Sequence, residues 1–245
     1  MNEAIKHRFL TRWSEYFPGA ELPIVFAYSD QKAPTAEGDA GFQCLICDLT
    51  AVREGTTRAF DRHTIRCGGA RRYLGYETEI GPNFAQFLSC GVPGELEGER
   101  YKRSPELVER YLESQPFFRA PGRSIVFKRW DRLEKSDSPE VVVFFARPDV
   151  LSGLYTLANF DEVTPHGVVA PFGSGCSSIV YHPYRELHSK HPRAVLGMFD
   201  VSARPCVQSD VLTLAIPWPK FIRMVEQMEE SFLITPSWGK VRGRL

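Results

Sequence analysis

Val141 to Ala146 reads VVVFFA, six apolar residues in succession. A strand sends successive side chains to opposite faces, so this run is apolar on both and must lie within a sheet covered above and below. That requirement sets the architecture: a β-sheet with helices packed on it. With 245 residues, 43% of them hydrophobic and 12% aromatic, the chain has material for a substantial core. It carries no internal repeat and no low-complexity linker. The expectation is a single α+β domain with a mixed sheet, spanning 1–245.

The pattern around that strand places the other elements. Ile5, Phe9, Trp13 and Tyr16 recur at helical spacing and predict an amphipathic helix over 3–17, ended by Pro18-Gly19. Leu22 to Tyr28, Ser124 to Trp130, Ala194 to Phe199 and Leu212 to Ile216 read as strands, Val168 to Ala170 as a short one, and Phe60 to Arg66 as another. Ser29 to Asp39 and Gly91 to Arg103 read as loops. Phe42 to Gly55 predicts a short helix bearing Cys44 and Cys47, and a second follows Cys67-Gly68-Gly69-Ala70 as far as Gly75. Ser104-Pro105-Glu106 combines an N-cap, a first-turn proline and an early acid, starting a helix to Ser114. Leu151, Leu154, Tyr155 and Ala158 mark a further helix. Phe221, Met224, Val225, Met228 and Phe232 define a C-terminal helix over 218–233, and the basic tail Lys240 to Arg244 is expected to fray.

Charge excludes some functions. Lys plus Arg equals Asp plus Glu at thirty each, so no global basic excess recruits nucleic acid or an anionic membrane. The aromatic residues are spread as core material rather than interleaved with basic ones, which argues against base stacking. The N-terminus lacks an uninterrupted apolar segment, and no stretch of eighteen apolar residues occurs anywhere. The reading is a soluble, cytoplasmic protein. The residues specify no oligomeric state.

Six cysteines are the one feature that points to chemistry. In a reducing compartment, thiols serve more often as metal ligands or reactive groups than as disulfide partners. Cys44-x-x-Cys47 brings two soft sulfurs within reach of one metal. Cys67 precedes a Gly-Gly pair that would let backbone approach whatever the sulfur binds. Cys176 lies in Gly-Ser-Gly-Cys-Ser-Ser at a helix start, and Cys206 follows Ala203-Arg204-Pro205. Cys90 reads as a small apolar filler. Ligands dispersed from position 47 to 206 do not make a zinc finger, and all-thiolate ligation from separate loops (42–75 and 173–206) favours iron–sulfur. Zinc with His63 as a mixed ligand is the alternative metal.

Two readings need no metal. Cys176 on a glycine loop could be a nucleophile, activated by the helix dipole with His182 or His166 as base. Alternatively the cysteines only pack, as buried hydrophobes in a small-molecule or protein-binding module. The glycines around Cys176 match no phosphate-binding pattern. Arg62, Arg71 and Arg72 flank Cys67 and could face an acidic ligand, or simply solvent.

The run from Cys47 through Asp48-Leu-Thr-Ala51 to Gly55, then Cys67-Gly-Gly-Ala70 with Leu74-Gly75, resembles an uncharacterised prokaryotic family, domain of unknown function 169. Val141 to Phe145 leading into Arg147-Pro148, then Gly175-Cys176, then Cys206 before Asp210 to Pro217, resembles it too, so the likeness extends over roughly 20–235. The resemblance implies a soluble prokaryotic protein whose cysteines recur in the same loops; it supplies no activity. Cys47, Cys67, Cys176 and Cys206 align with that pattern, whereas Cys44 and Cys90 are peculiar to this chain. From loop placement and reduced-compartment usage, the leading expectation is an iron–sulfur protein, with those four cysteines binding one 4Fe–4S cluster for electron transfer or redox sensing. A redox partner protein or a small-molecule substrate would complete it.

Overall fold

The computed structural model describes residues 1–31, 33 and 43–245. In chain order the elements are α1 (Glu3–Tyr16), β1 (Ile24–Ser29), α2 (Leu45–Arg53), β2 (Arg58–Phe60), α3 (Gly68–Tyr73) and α4 (Phe84–Phe87), followed by β3 (Gly91–Val92), β4 (Leu96–Glu97), α5 (Pro105–Glu113) and β5 (Ser124–Arg129). Then come β6 (Val141–Ala146), α6 (Pro148–Leu157), β7 (Val168–Val169), α7 (His182–Leu187), β8 (Ala194–Gly197), β9 (Leu212–Pro217), α8 (Trp218–Gln227) and α9 (Pro236–Arg242).

Among the described residues, seven strands form one sheet in the order β2-β5-β1-β6-β9-β8-β7. Only β7 and β8 run parallel, so the sheet is mixed and the fold is α+β, as expected. The apolar run takes the centre: β6 pairs with β1 on one side and with β9 on the other, Val142 opposite Ile216 and Val143 opposite Ala215. All six of its residues are buried. Val141, Val143 and Phe145 join one core, while Val142, Phe144 and Ala146 join the other. Burying side chains of this size stabilises the fold by about 1.5–3 kcal/mol each, so both faces must be roofed. One roof carries Phe9 and Trp13 of α1, Leu154 of α6, Phe221 of α8 and Trp238 of α9. The other carries Ile46 and Leu49 of α2, Ala70 of α3, and Ile179, Val180 and Tyr184. This second core takes in Cys176, with Cys44, Cys67 and Cys206 packed against it.

Several boundaries depart from the pattern for local reasons. The strand expected over 60–66 stops at Phe60, because the Asp61 carboxylate accepts the His63 and Thr64 N–H groups and turns the chain. Helix α8 ends at Gln227, short of 233: buried Ser231 bonds the Met228 carbonyl and the Leu233 N–H, competing with helical pairing. The segment 91–103 contains the β3–β4 hairpin rather than loop alone. The tail is anchored, not frayed. Thr235 caps α9, and buried Trp238 donates its indole N–H to the Tyr16 carbonyl at 3.0 Å. Of the expected helix 42–55, Phe42 lies outside the described residues, as do 32 and 34–39 of the expected loop.

Candidate metal and thiol site

Helix α2 buries Leu45, Ile46, Leu49 and Val52, which leaves Cys47 of its first turn exposed. Cys44 is the N-cap, with extended backbone. Three residues bring two side chains to adjacent edges of a helical turn, so both sulfurs stand at the start of α2. Cys206 closes a 3-10 turn, Arg204–Cys206, whose shape is held by the Arg204 guanidinium. That group donates to the carbonyls of Gln208 (3.1 Å), Ser209 (2.7 Å) and Val211. The turn thereby delivers Cys206 to α2, and Cys47 and Cys206 are joined as a disulfide across 159 residues. Thiols in a reducing compartment are expected to be free ligands; proximity created by the tertiary fold overrides that expectation for this pair.

Cys44 completes the group. The sulfurs of Cys44, Cys47 and Cys206 lie within 4.8 Å of one another, close enough for the three to hold a metal when reduced. Burial raises the Cys44 thiol above its ordinary value, while the backbone N–H groups of Ile46 and Cys47 pull it down and the nearby Cys67 and Asp200 push it up. Cys44 is not among the four ligands expected from the sequence, and the Cys-x-x-Cys spacing is the signal that marks it.

Cys67 and Cys176 lie outside this tight trio but on the same side of the sheet. Cys67 is the half-buried N-cap of α3. Its two glycines are not needed for space, since a Cβ at Gly68 would meet nothing and one at Gly69 would stand 3.8 Å from the Cys67 sulfur. Cys176 is buried and precedes a π-helical turn, Ser177–Tyr181. Gly175 before it sits where the segments converge: a Cβ there would stand 3.0 Å from Ile46 Cγ1 and 3.2 Å from both Ala203 Cβ and Met198 Sδ. Behind the turn, Gly197 permits β8 to press on Ser178, since any Cβ would collide with that side chain. Met198, fully buried, takes a left-handed φ of 67° between these contacts. Backbone strain and π-turns gather at functional sites, and here both border the cysteines.

The metal-free nucleophile reading is not supported by this environment. Burial, with Cys67, Cys44 and Asp200 nearby, pushes the Cys176 thiol well above its ordinary value, the reverse of an activated thiolate. His182 is held down at about 4 by burial and then by the Arg185 cation, with its Nε2 buried and unpartnered. His166 is exposed, as is His63 on its turn after β2, and His63 is not in the metal-competent group. Cys90 is exposed rather than filling the core. The arginines near Cys67 face their own chain: Arg71 and Arg62 reach Glu77 at 3.1 and 3.8 Å, and Arg72 donates to the Thr78 carbonyl.

A mixed sheet roofed on both faces, with a cysteine group at one helix start, defines an α+β protein with a candidate thiolate metal site. Residues 19–227 match the family described as uncharacterised ArCR, domain of unknown function 169, and the chain belongs to that family. No curated protein and no solved structure matches it. Among the described residues, no helix is long and apolar enough to cross a membrane.

Proposed function

We propose that the chain is a prokaryotic, cytoplasmic redox protein whose cysteines hold an inorganic centre, a 4Fe–4S cluster on Cys47, Cys67, Cys176 and Cys206. The observation that carries this reading is the gathering of cysteines from four separate segments on one face of the sheet, with the Asp200 carboxylate near Cys44 and Cys176. A cubane places its thiolates on different irons, so its ligands stand wider apart than those of a single ion, which suits Cys67 and Cys176 beyond the trio. Metal ligation would also offset the cost of ionising the buried Cys176 thiol. Cytosolic thiols would open the Cys47–Cys206 disulfide and free both sulfurs. The centre would pass electrons to a partner protein or act on a small-molecule substrate; nucleic acid is not among its partners.

A zinc ion is the second reading, favoured by the trio itself. Tetrahedral thiolates about 2.3 Å from zinc lie about 3.8 Å apart, within the spread of Cys44, Cys47 and Cys206.

Purification under strict anoxia with reductant, followed by iron, sulfide and zinc quantification, separates the two. Iron with matching sulfide, lost on Cys67→Ser or Cys176→Ser, supports the cluster. Zinc that survives both substitutions supports the trio. Protein free of either metal defeats both.

A further inference from the structure

We infer that Cys44, Cys47 and Cys206 form a thiol–disulfide exchange centre, in which Cys44 takes Cys47 over from Cys206 and converts a tertiary cross-link into a local one. The inference concerns the oxidised, metal-free chain and stands apart from the metal reading. Three sulfurs within 4.8 Å, two of them bonded and the third a free thiol, are the components that exchange requires. Cys47 is the exposed one of the three, the sulfur shared by both disulfides and the one an incoming low-molecular-weight thiol would meet.

The step balances within the chain. The Cys44 thiol, kept mostly protonated by burial, gives up its proton to solvent before its sulfur attacks Cys47 Sγ, so the exchange is slow and is read at equilibrium. The Cys44–Cys47 bond forms as Cys47–Cys206 breaks, and Cys206 leaves with the bonding pair and takes up a proton in return. No oxidant or reductant is consumed. The Cys44 carbonyl already accepts the Cys47 N–H at 3.1 Å, so the new bridge closes across one existing turn at the start of α2.

The consequence reaches beyond the sulfurs. Cys206 is the covalent tie between α2 and the segment that follows it, and two residues on, Gln208 accepts from Arg53 of the same helix at 3.1 Å. Arg53 and Gln208 both line a cavity of about 470 Å³ together with Phe145, Arg147 and Val211. Exchange releases one wall of that cavity from its cross-link while leaving the oxidation state of the chain unchanged.

The test is disulfide mapping by mass spectrometry on the full chain, reduced in the presence of chelator, reoxidised with glutathione disulfide, then acid-quenched and alkylated. Wild type is expected to yield both Cys47–Cys206 and Cys44–Cys47, in the same ratio at long times whether reoxidised from the reduced chain or incubated with catalytic glutathione from the Cys47–Cys206 form. Cys44→Ser should yield Cys47–Cys206 alone, and Cys206→Ser, with circular dichroism showing it folded, should yield Cys44–Cys47. Wild type carrying only Cys47–Cys206 at every glutathione ratio overturns the inference. So does Cys44→Ser that still forms a second bridge, through Cys67, Cys90 or Cys176, in the proportion seen in wild type.

Discussion

The Asp200 carboxylate accepts the Gly175 N–H at 2.8 Å, tying the loop before Cys176 to the loop that leads into Cys206. The same carboxylate accepts from the N–H and hydroxyl of Ser202, at 3.0 and 2.7 Å. One side chain thus sets the spacing of two cysteine-bearing segments that are remote in sequence. Asp200→Ala leaves the buried Gly175 N–H without its acceptor, at a cost of about 1–3 kcal/mol. Urea unfolding should show that loss. Alkylation of Cys176 in the native protein should accelerate relative to Cys90, and an unchanged Cys176 rate would contradict the bridging role.

Gly197 is where β8 touches the π-helical turn. A methyl group there would overlap Ser178 Cβ and Oγ, so Gly197→Ala must displace the turn that follows Cys176. Overpacking of this kind costs about 1–3 kcal/mol. The double variant Gly197→Ala with Ser178→Gly should recover only part of it: the colliding atoms are gone, but so is the Ser178 hydroxyl that donates to the Gly175 carbonyl at 2.9 Å and accepts the Met198 N–H at 3.4 Å. Thermal melts of the two variants against wild type measure the recovery.

The Cys47–Cys206 bridge closes a loop of 159 residues, and by chain entropy a cross-link of that span stabilises the fold by about 5 kcal/mol. With chelator present, adding reductant should lower the urea midpoint accordingly, and Cys206→Ser should lower it without reductant. Equal midpoints in the oxidised and reduced forms would show that the bridge does not restrict the unfolded chain.

His182 predicts the acid limb of stability. Its folded value of about 4 lies below its ordinary 6.5, first because burial penalises the imidazolium and then because Arg185 repels it, against a weaker opposing pull from Glu186. The unfolded chain therefore takes up the proton first as pH falls. The contribution of the neutral ring is complete above pH 6.5 and is lost progressively toward pH 4. His182→Phe keeps an aromatic ring edge-on to Tyr181 and removes the titration. Its stability should fall by about 1–3 kcal/mol less than that of wild type between those pH values, discounted for partial solvent access.

Much of the framework follows from short-range rules acting on this sequence. VVVFFA had to be a central strand because no other placement hides both of its faces, and it sits fourth of seven. Ser104-Pro105-Glu106 begins α5 because cap, proline and acid each satisfy the same helix start. The early end of β2 also rests on a local signal, the Asp61 turn, which apolar alternation alone does not register.

The cysteine site belongs to the other category. Sequence spacing could pair Cys44 with Cys47, since three residues span one turn. It could not bring Cys206 to them, show that Cys90 is exposed, or reveal that burial silences Cys176 as a nucleophile. Those outcomes depend on which residues share a sheet face and how closely Gly175 lets Ile46, Ala203 and Met198 approach. Local sequence determined the strands, the caps and the reach of each turn, because the forces involved act over a few residues. Tertiary packing alone decided which sulfurs meet and which are desolvated, because distance and dielectric are properties of the folded chain.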